Sequence, residues 1–143
     1  MNFCGPASLK TIFDMLGISK TEREWAELSG TTHQDGVSIQ GLMQAVEQVG
    51  YKTTYKTAST IEELKLLIKT NQFVIVNYWR DTVGHFSPIA NIVEKEIFIA
   101  DVYTGNVEKM NLSLFERNWF DFVSYPPQSQ KDLLLRELLV IKQ

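Results

Sequence analysis

The sequence predicts an α+β fold, with helices first and an antiparallel sheet built largely from the second half. Capped amphipathic runs occupy residues 5–50. A continuous apolar run, FVIVNYW, and two further β-rich runs, HFSPIANIV and EIFIADVY, come later. Helices and strands are segregated along the chain, which argues against a doubly wound parallel sheet.

Each element has its own signal. After CGPAS, the residues Leu9, Ile12, Phe13 and Leu16 recur at helical spacing up to Gly17, predicting a helix over 5–16. Pro6 suits its first turn, where a missing N–H costs nothing. KTEREWAELSG reads as a short second helix stopped by Gly30, and THQDGVS as a turn. Ser38 caps a third helix, SIQGLMQAVEQVG, that ends at Gly50. YKTTYKT alternates like a strand. STIEELKLLIKTN has the cap and period of a fourth helix. FVIVNYW has the length and continuity of a central strand. HFSPIANIV and EIFIADVY form two more strands joined by EKE. NLSLFERNWF predicts a short helix, DFVSY a strand, and KDLLLRELLVIKQ a C-terminal helix by its period. Pro88 marks an edge position or a bulge. Trp25, Trp79 and Trp119 read as core or cleft-wall aromatics. The helical and sheet parts are expected to pack as two lobes with a cleft between them.

A length of 143 residues suits one domain, 1–143. The net charge of −3 and scattered cations give no footprint for nucleic acid, and no run is apolar enough for membrane insertion. No signal peptide is visible, so a cytoplasmic location is expected. One cysteine forms no internal disulfide. With two histidines it makes no zinc-ligand pattern, and no glycine-rich phosphate loop is present. Neither a metal nor any other cofactor is expected.

That cysteine, Cys4, stands at the mouth of the first helix. There the orphan N–H groups and the positive end of the dipole favour a thiolate, lowering its pKa from about 8.5 to roughly 3.5–7.5. The same N–H groups suit an oxyanion. A nucleophile needs a base, and His85 in DTVGHFSPIA begins a predicted strand beside Gly84, which permits a sharp turn or a close backbone approach. His33, in the polar turn TTHQDG, is the weaker candidate. Asp101 ends EIFIAD; if the two strands are antiparallel neighbours, His85 and Asp101 share one sheet edge. Cys4, His85 and Asp101 then make a nucleophile, a base and a group that orients the base.

The blocks CGPASLKTIFDMLG, DGVSIQGLMQAVEQVGY, EELKLLIKTNQFVIV, GHFSPIANI…IFIADVYTGN and LFERNW together resemble papain-like cysteine peptidases. Within them the chain is similar to the bacteriocin-processing domains that remove double-glycine leaders and are often fused to ABC transporters. GHFSPIA, IADV and VNYWR also resemble phytochelatin synthase. The resemblance implies a papain-like fold with Cys4 as nucleophile, His85 as base and Asp101 as orienting residue. Those families usually carry a glutamine several residues before the cysteine, whose amide helps form the oxyanion hole. Here only Met1, Asn2 and Phe3 precede Cys4: either the sequence is trimmed or mis-started ahead of that glutamine, or the hole relies on the Cys4 backbone N–H, with Asn2 as a shorter amide.

The expected activity is thiol-dependent cleavage of a peptide or peptide-like amide through an acyl-enzyme. The alternatives are a γ-glutamylcysteine transferase or glutathione hydrolase, and a catalytically weak peptide-binding module. The substrate is accordingly a peptide or a glutathione-like molecule, and the resemblance leaves open a transporter partner.

Overall fold

A computed structural model describes residues 3–143. Helix α1 (Cys4–Met15) buries Leu9, Ile12 and Phe13 along one face. Helix α2 (Glu22–Ser29) opens on a capping box, with Thr21 Oγ1 accepting from Glu24 N–H at 3.1 Å and Glu24 accepting from Thr21 N–H at 2.6 Å. Gly30 closes it at φ +70°, a left-handed position that suits glycine. Helix α3 (Ile39–Gln48) starts on Ser38, whose hydroxyl accepts from Gly41 N–H at 3.0 Å. A Cβ on Gly41 would lie 2.1 Å from the Ser29 carbonyl oxygen, so glycine lets α3 close onto α2.

The strands are β1 (Lys52–Lys56), β2 (Phe73–Arg80), β3 (Val83–Val93), β4 (Glu96–Ala100), β5 (Val107–Asn111), β6 (Phe120–Phe122), β7 (Leu133–Leu135) and β8 (Leu138–Lys142). Helix α4 (Ile61–Lys69) precedes β2, and α5 (Leu112–Asn118) follows β5. Six strands form one antiparallel sheet in the order β1-β8-β2-β3-β4-β5, and β6 pairs with β7 apart from it. The α+β prediction holds.

One reading is corrected. KDLLLRELLVIKQ is not a helix: after a short 3₁₀ turn over Gln130–Asp132 it forms β7 and β8. β8 lies between β1 and β2 with Leu138 to Ile141 all buried, so both its faces are apolar and no period-2 signal survives. β5 carries the polar sequence VEKMN on the sheet edge, where an apolar pattern is not required. Pro88 lies in β3 just before β4 begins to pair with it, next to a register shift between Ile89 and Asn91, in keeping with the bulge reading.

Alternate residues of the central strands feed two cores. Ile75, Leu139 and Ile141 join Leu9, Ile12, Phe13, Trp25, Leu42 and Val46 under α1–α3. Val74, Val76, Tyr78, Leu138 and Val140 join Leu64, Ile97, Ile99, Phe115 and Trp119 under α4 and α5. Each large side chain so buried contributes roughly 1.5–3 kcal/mol.

Candidate active site

Cys4 is the first residue of α1 and is buried. Its Sγ accepts a hydrogen bond from Phe86 N–H at 3.4 Å. The β3–β4 pairing begins only at Ile89, so β3 is open on that edge at Phe86 and the helix meets the strand there. Ser8, one turn along α1 and fully buried, holds the junction. Its hydroxyl reaches the Cys4 carbonyl at 2.7 Å and the Phe86 carbonyl at 3.2 Å. The nucleophile candidate is thereby fixed against the residue that follows His85.

His85 and Phe86 point to opposite faces of β3. His85 pairs with Tyr78 of β2 and is 4% exposed, with its ring edge-on to Tyr78 at 5.8 Å and tilted against Tyr103 at 5.2 Å. Its Nε2 is buried without a hydrogen-bond partner among the described residues. The Tyr103 hydroxyl donates to the Cys4 sulfur, so this phenol touches both the thiol and the imidazole. Burial, with the neighbouring Cys4 charge, lifts the Tyr103 hydroxyl to about 12 and keeps it a donor.

Asp101 follows β4 in the row of Ile97 and Ile99, on the sheet face that carries His85. Its carboxylate accepts from Tyr103 N–H at 2.9 Å and stands 3.5 Å from Arg80 Nη2, while the same Arg80 nitrogen contacts Glu108 at 3.0 Å. Burial disfavours the Asp101 charge, yet the Tyr103 N–H, the Thr104 contacts and Arg80 together hold the carboxyl below its ordinary value. Among the described residues no hydrogen bond joins His85 to Asp101; the aspartate acts on the imidazole through its charge.

The resting protonation differs from the expected thiolate. Burial pushes the Cys4 thiol up, outweighing the N–H groups of Phe86, Gly5 and Cys4 and the Tyr103 hydroxyl, all of which pull it down. Burial, reinforced by Arg80 and opposed by Asp101, pushes His85 down to about 4. At neutral pH the thiol and the imidazole are both uncharged, a state from which proton transfer accompanies attack.

Of the remaining candidates, Asn2 lies outside the described residues. His33 is exposed and stacks on Phe3 at 4.8 Å, at the mouth of α1 but on a surface turn. Gly84 makes room for a side chain rather than a backbone: a Cβ there would lie 2.1 Å from Asp121 Oδ2. Arg80, Ser8 and Tyr103 carried no spacing signal. They join the site through strand pairing and a turn, although Arg80 stands two residues from Tyr78 on the same strand face.

A model of the Peptidase C39 family matches residues 2–130. The chain belongs to the peptidase C39 family. It is thus a cysteine peptidase. An uncharacterized protein of Methanothermobacter thermautotrophicus is 36% identical over 104 residues, spanning 73% of this chain and 68% of the relative. One from Methanothermobacter marburgensis is 31% identical over the same shares. The peptidase domain of Streptococcus ComA, a bi-functional ABC transporter involved in quorum sensing, superposes with a TM-score of 0.73 at 18% identity, covering 99% of this chain and 91% of that one. A double glycine motif protease from an AMS/PCAT transporter, solved with its leader peptide, gives 0.72 at 17% identity over 97% and 83%. A C39-like peptidase from Bacillus anthracis gives 0.71 at 17% over 99% and 89%. These likenesses establish the papain-like α+β fold of C39 domains. No described helix is long and apolar enough to cross a membrane.

Proposed function

We propose that this C39 peptidase cleaves a peptide at a Gly-Gly site through an acyl-enzyme on Cys4, with His85 as proton carrier and Asp101 as its electrostatic support. The observation that carries this reading is the Phe86 N–H on Cys4 Sγ at 3.4 Å, which ties the thiol to the neighbour of His85. The Gly-Gly preference rests on similarity to the double glycine motif protease.

His85 takes the Cys4 proton as sulfur attacks the scissile carbonyl. The imidazolium that forms is favoured by the Asp101 carboxylate, which alone among its charged neighbours raises the His85 pKa. The oxyanion develops beside the Cys4 and Gly5 N–H groups, which favour negative charge at the sulfur. His85 then gives its proton to the leaving amine, and water, deprotonated by the same ring, releases the acyl group. Residues 1–143 act as one domain in this scheme. A single thiol that must stay reduced fits the cytoplasm.

Rapid-quench mass spectrometry on a Gly-Gly peptide tests the reading. The expected result is an acyl adduct on Cys4 in the wild type, and neither adduct nor product with Cys4→Ala. Product formation by folded Cys4→Ala would refute it.

A further inference from the structure

Beside Cys4 a cleft of about 730 Å³ opens between the α2–α3 turn and the sheet. Phe86 forms part of its wall, and so does Val37, against which Gly5 packs so closely that a Cβ would lie 2.3 Å from the valine methyl. The cleft therefore begins at the residues that flank the thiol. Trp79 backs it, stacked on Phe120 at 5.7 Å and edge-on to Phe122, a wall residue, at 5.3 Å.

The floor of this cleft is acidic. Asn77, 3% exposed, donates from Nδ2 to Asp121 Oδ2 at 2.8 Å and to Glu137 Oε1 at 2.9 Å. Glu137 is 4% exposed, and its other oxygen accepts from the Tyr55 hydroxyl. Asp121 lies on the Gly84 backbone and also accepts from Phe122 N–H at 2.7 Å. Among the described residues no lysine or arginine forms an ion pair with either carboxylate. With both contacts made by Nδ2, Asn77 Oδ1 is buried in this wall with no partner among the described residues, an acceptor that neither carboxylate can satisfy. Two carboxylates and a spare amide oxygen match the three donors of one ammonium, or the fork of a guanidinium.

We propose that this cleft is a subsite for a cationic side chain, a lysine or arginine of the peptide substrate, received by Asp121, Glu137 and Asn77 Oδ1. The inference rests on the peptidase reading above and adds to it a selectivity that belongs to this chain's own residues. Asp121 and Glu137 act as specificity-determining residues, and neither takes part in bond cleavage.

The test is a set of fluorogenic peptides built on one neutral Gly-Gly parent. A single lysine is placed in turn at each position on either side of the scissile amide, and every peptide has a norleucine twin. For wild type, kcat/KM at one position favours lysine over norleucine by about tenfold or more. Asp121→Asn, whose side chain is half-buried, and Glu137→Gln each bring that ratio towards one. Cleavage with ratios near one at every position, or a lysine preference unchanged in both folded variants, overturns the subsite and leaves the peptidase reading standing. Failure to cleave any peptide of the set overturns the peptidase reading, and the subsite with it.

Discussion

Ile75 and Leu139 point into the core under α1–α3, while their chain neighbours Val76 and Leu138 point into the core under α4 and α5. The two sides are alike in construction and differ in what they bring to the upper end of β3. The first side delivers Cys4, Phe86 and the acidic cleft; the second delivers His85, Tyr78, Arg80 and Asp101. A reaction centre here needs both sides, because adjacent residues of one strand face opposite ways. The edge of β3 left free by β4 is where the two meet.

The largest effects should come from emptying either core. Phe13→Ala on the first side and Trp119→Ala on the second each remove a fully buried aromatic, and each is expected to cost about 3–5 kcal/mol in urea unfolding. Both should shift one shared transition; separate transitions for the two variants would break the picture of two cores on one sheet. Gly84→Ala comes next, because its methyl would meet the Asp121 carboxylate. A loss of about 1–3 kcal/mol is expected from overpacking, and an unchanged midpoint would contradict the close approach.

A pH effect distinguishes the second side. His85 titrates at about 4 in the folded chain and near 6.5 when unfolded. Between those values the unfolded state binds more protons, so stability present above pH 6.5 is lost as pH falls towards 4. His85→Asn should flatten that limb of a urea-midpoint profile, and an identical slope in the variant would remove His85 as its source. The smallest effect separates the charges around the ring. Arg80→Gln should raise the imidazole pKa and Asp101→Asn should lower it further, read by NMR titration of the ring protons. Shifts in one common direction would contradict the opposed roles.

How much was legible in the sequence follows from the same two-sidedness. α2, α3 and the second half of α1 have one wet face, so their periods, the Gly30 stop and the Ser38 cap were readable. β8 has no wet face, and LLVI lost its alternation and passed for a helix. β5, polar on an edge, had no apolar pattern to read. In the site, Cys4 and His85 stood out by residue type and position. Tyr103 and Arg80 did not, because their roles arise only when the turn after β4 folds over His85 and β2 lays Arg80 beside Asp101. The neutral resting state was also hidden: helix position favours a thiolate, and burial, which the sequence does not display, favours the thiol.

The central claim is that His85 carries the proton for Cys4. The most direct test is kcat/KM on a Gly-Gly peptide against pH, for wild type and His85→Ala. The account predicts a wild-type acid limb near 4 and a loss of about 100- to 10,000-fold in the variant, with that limb gone. Wild-type rates in a folded His85→Ala protein would contradict it.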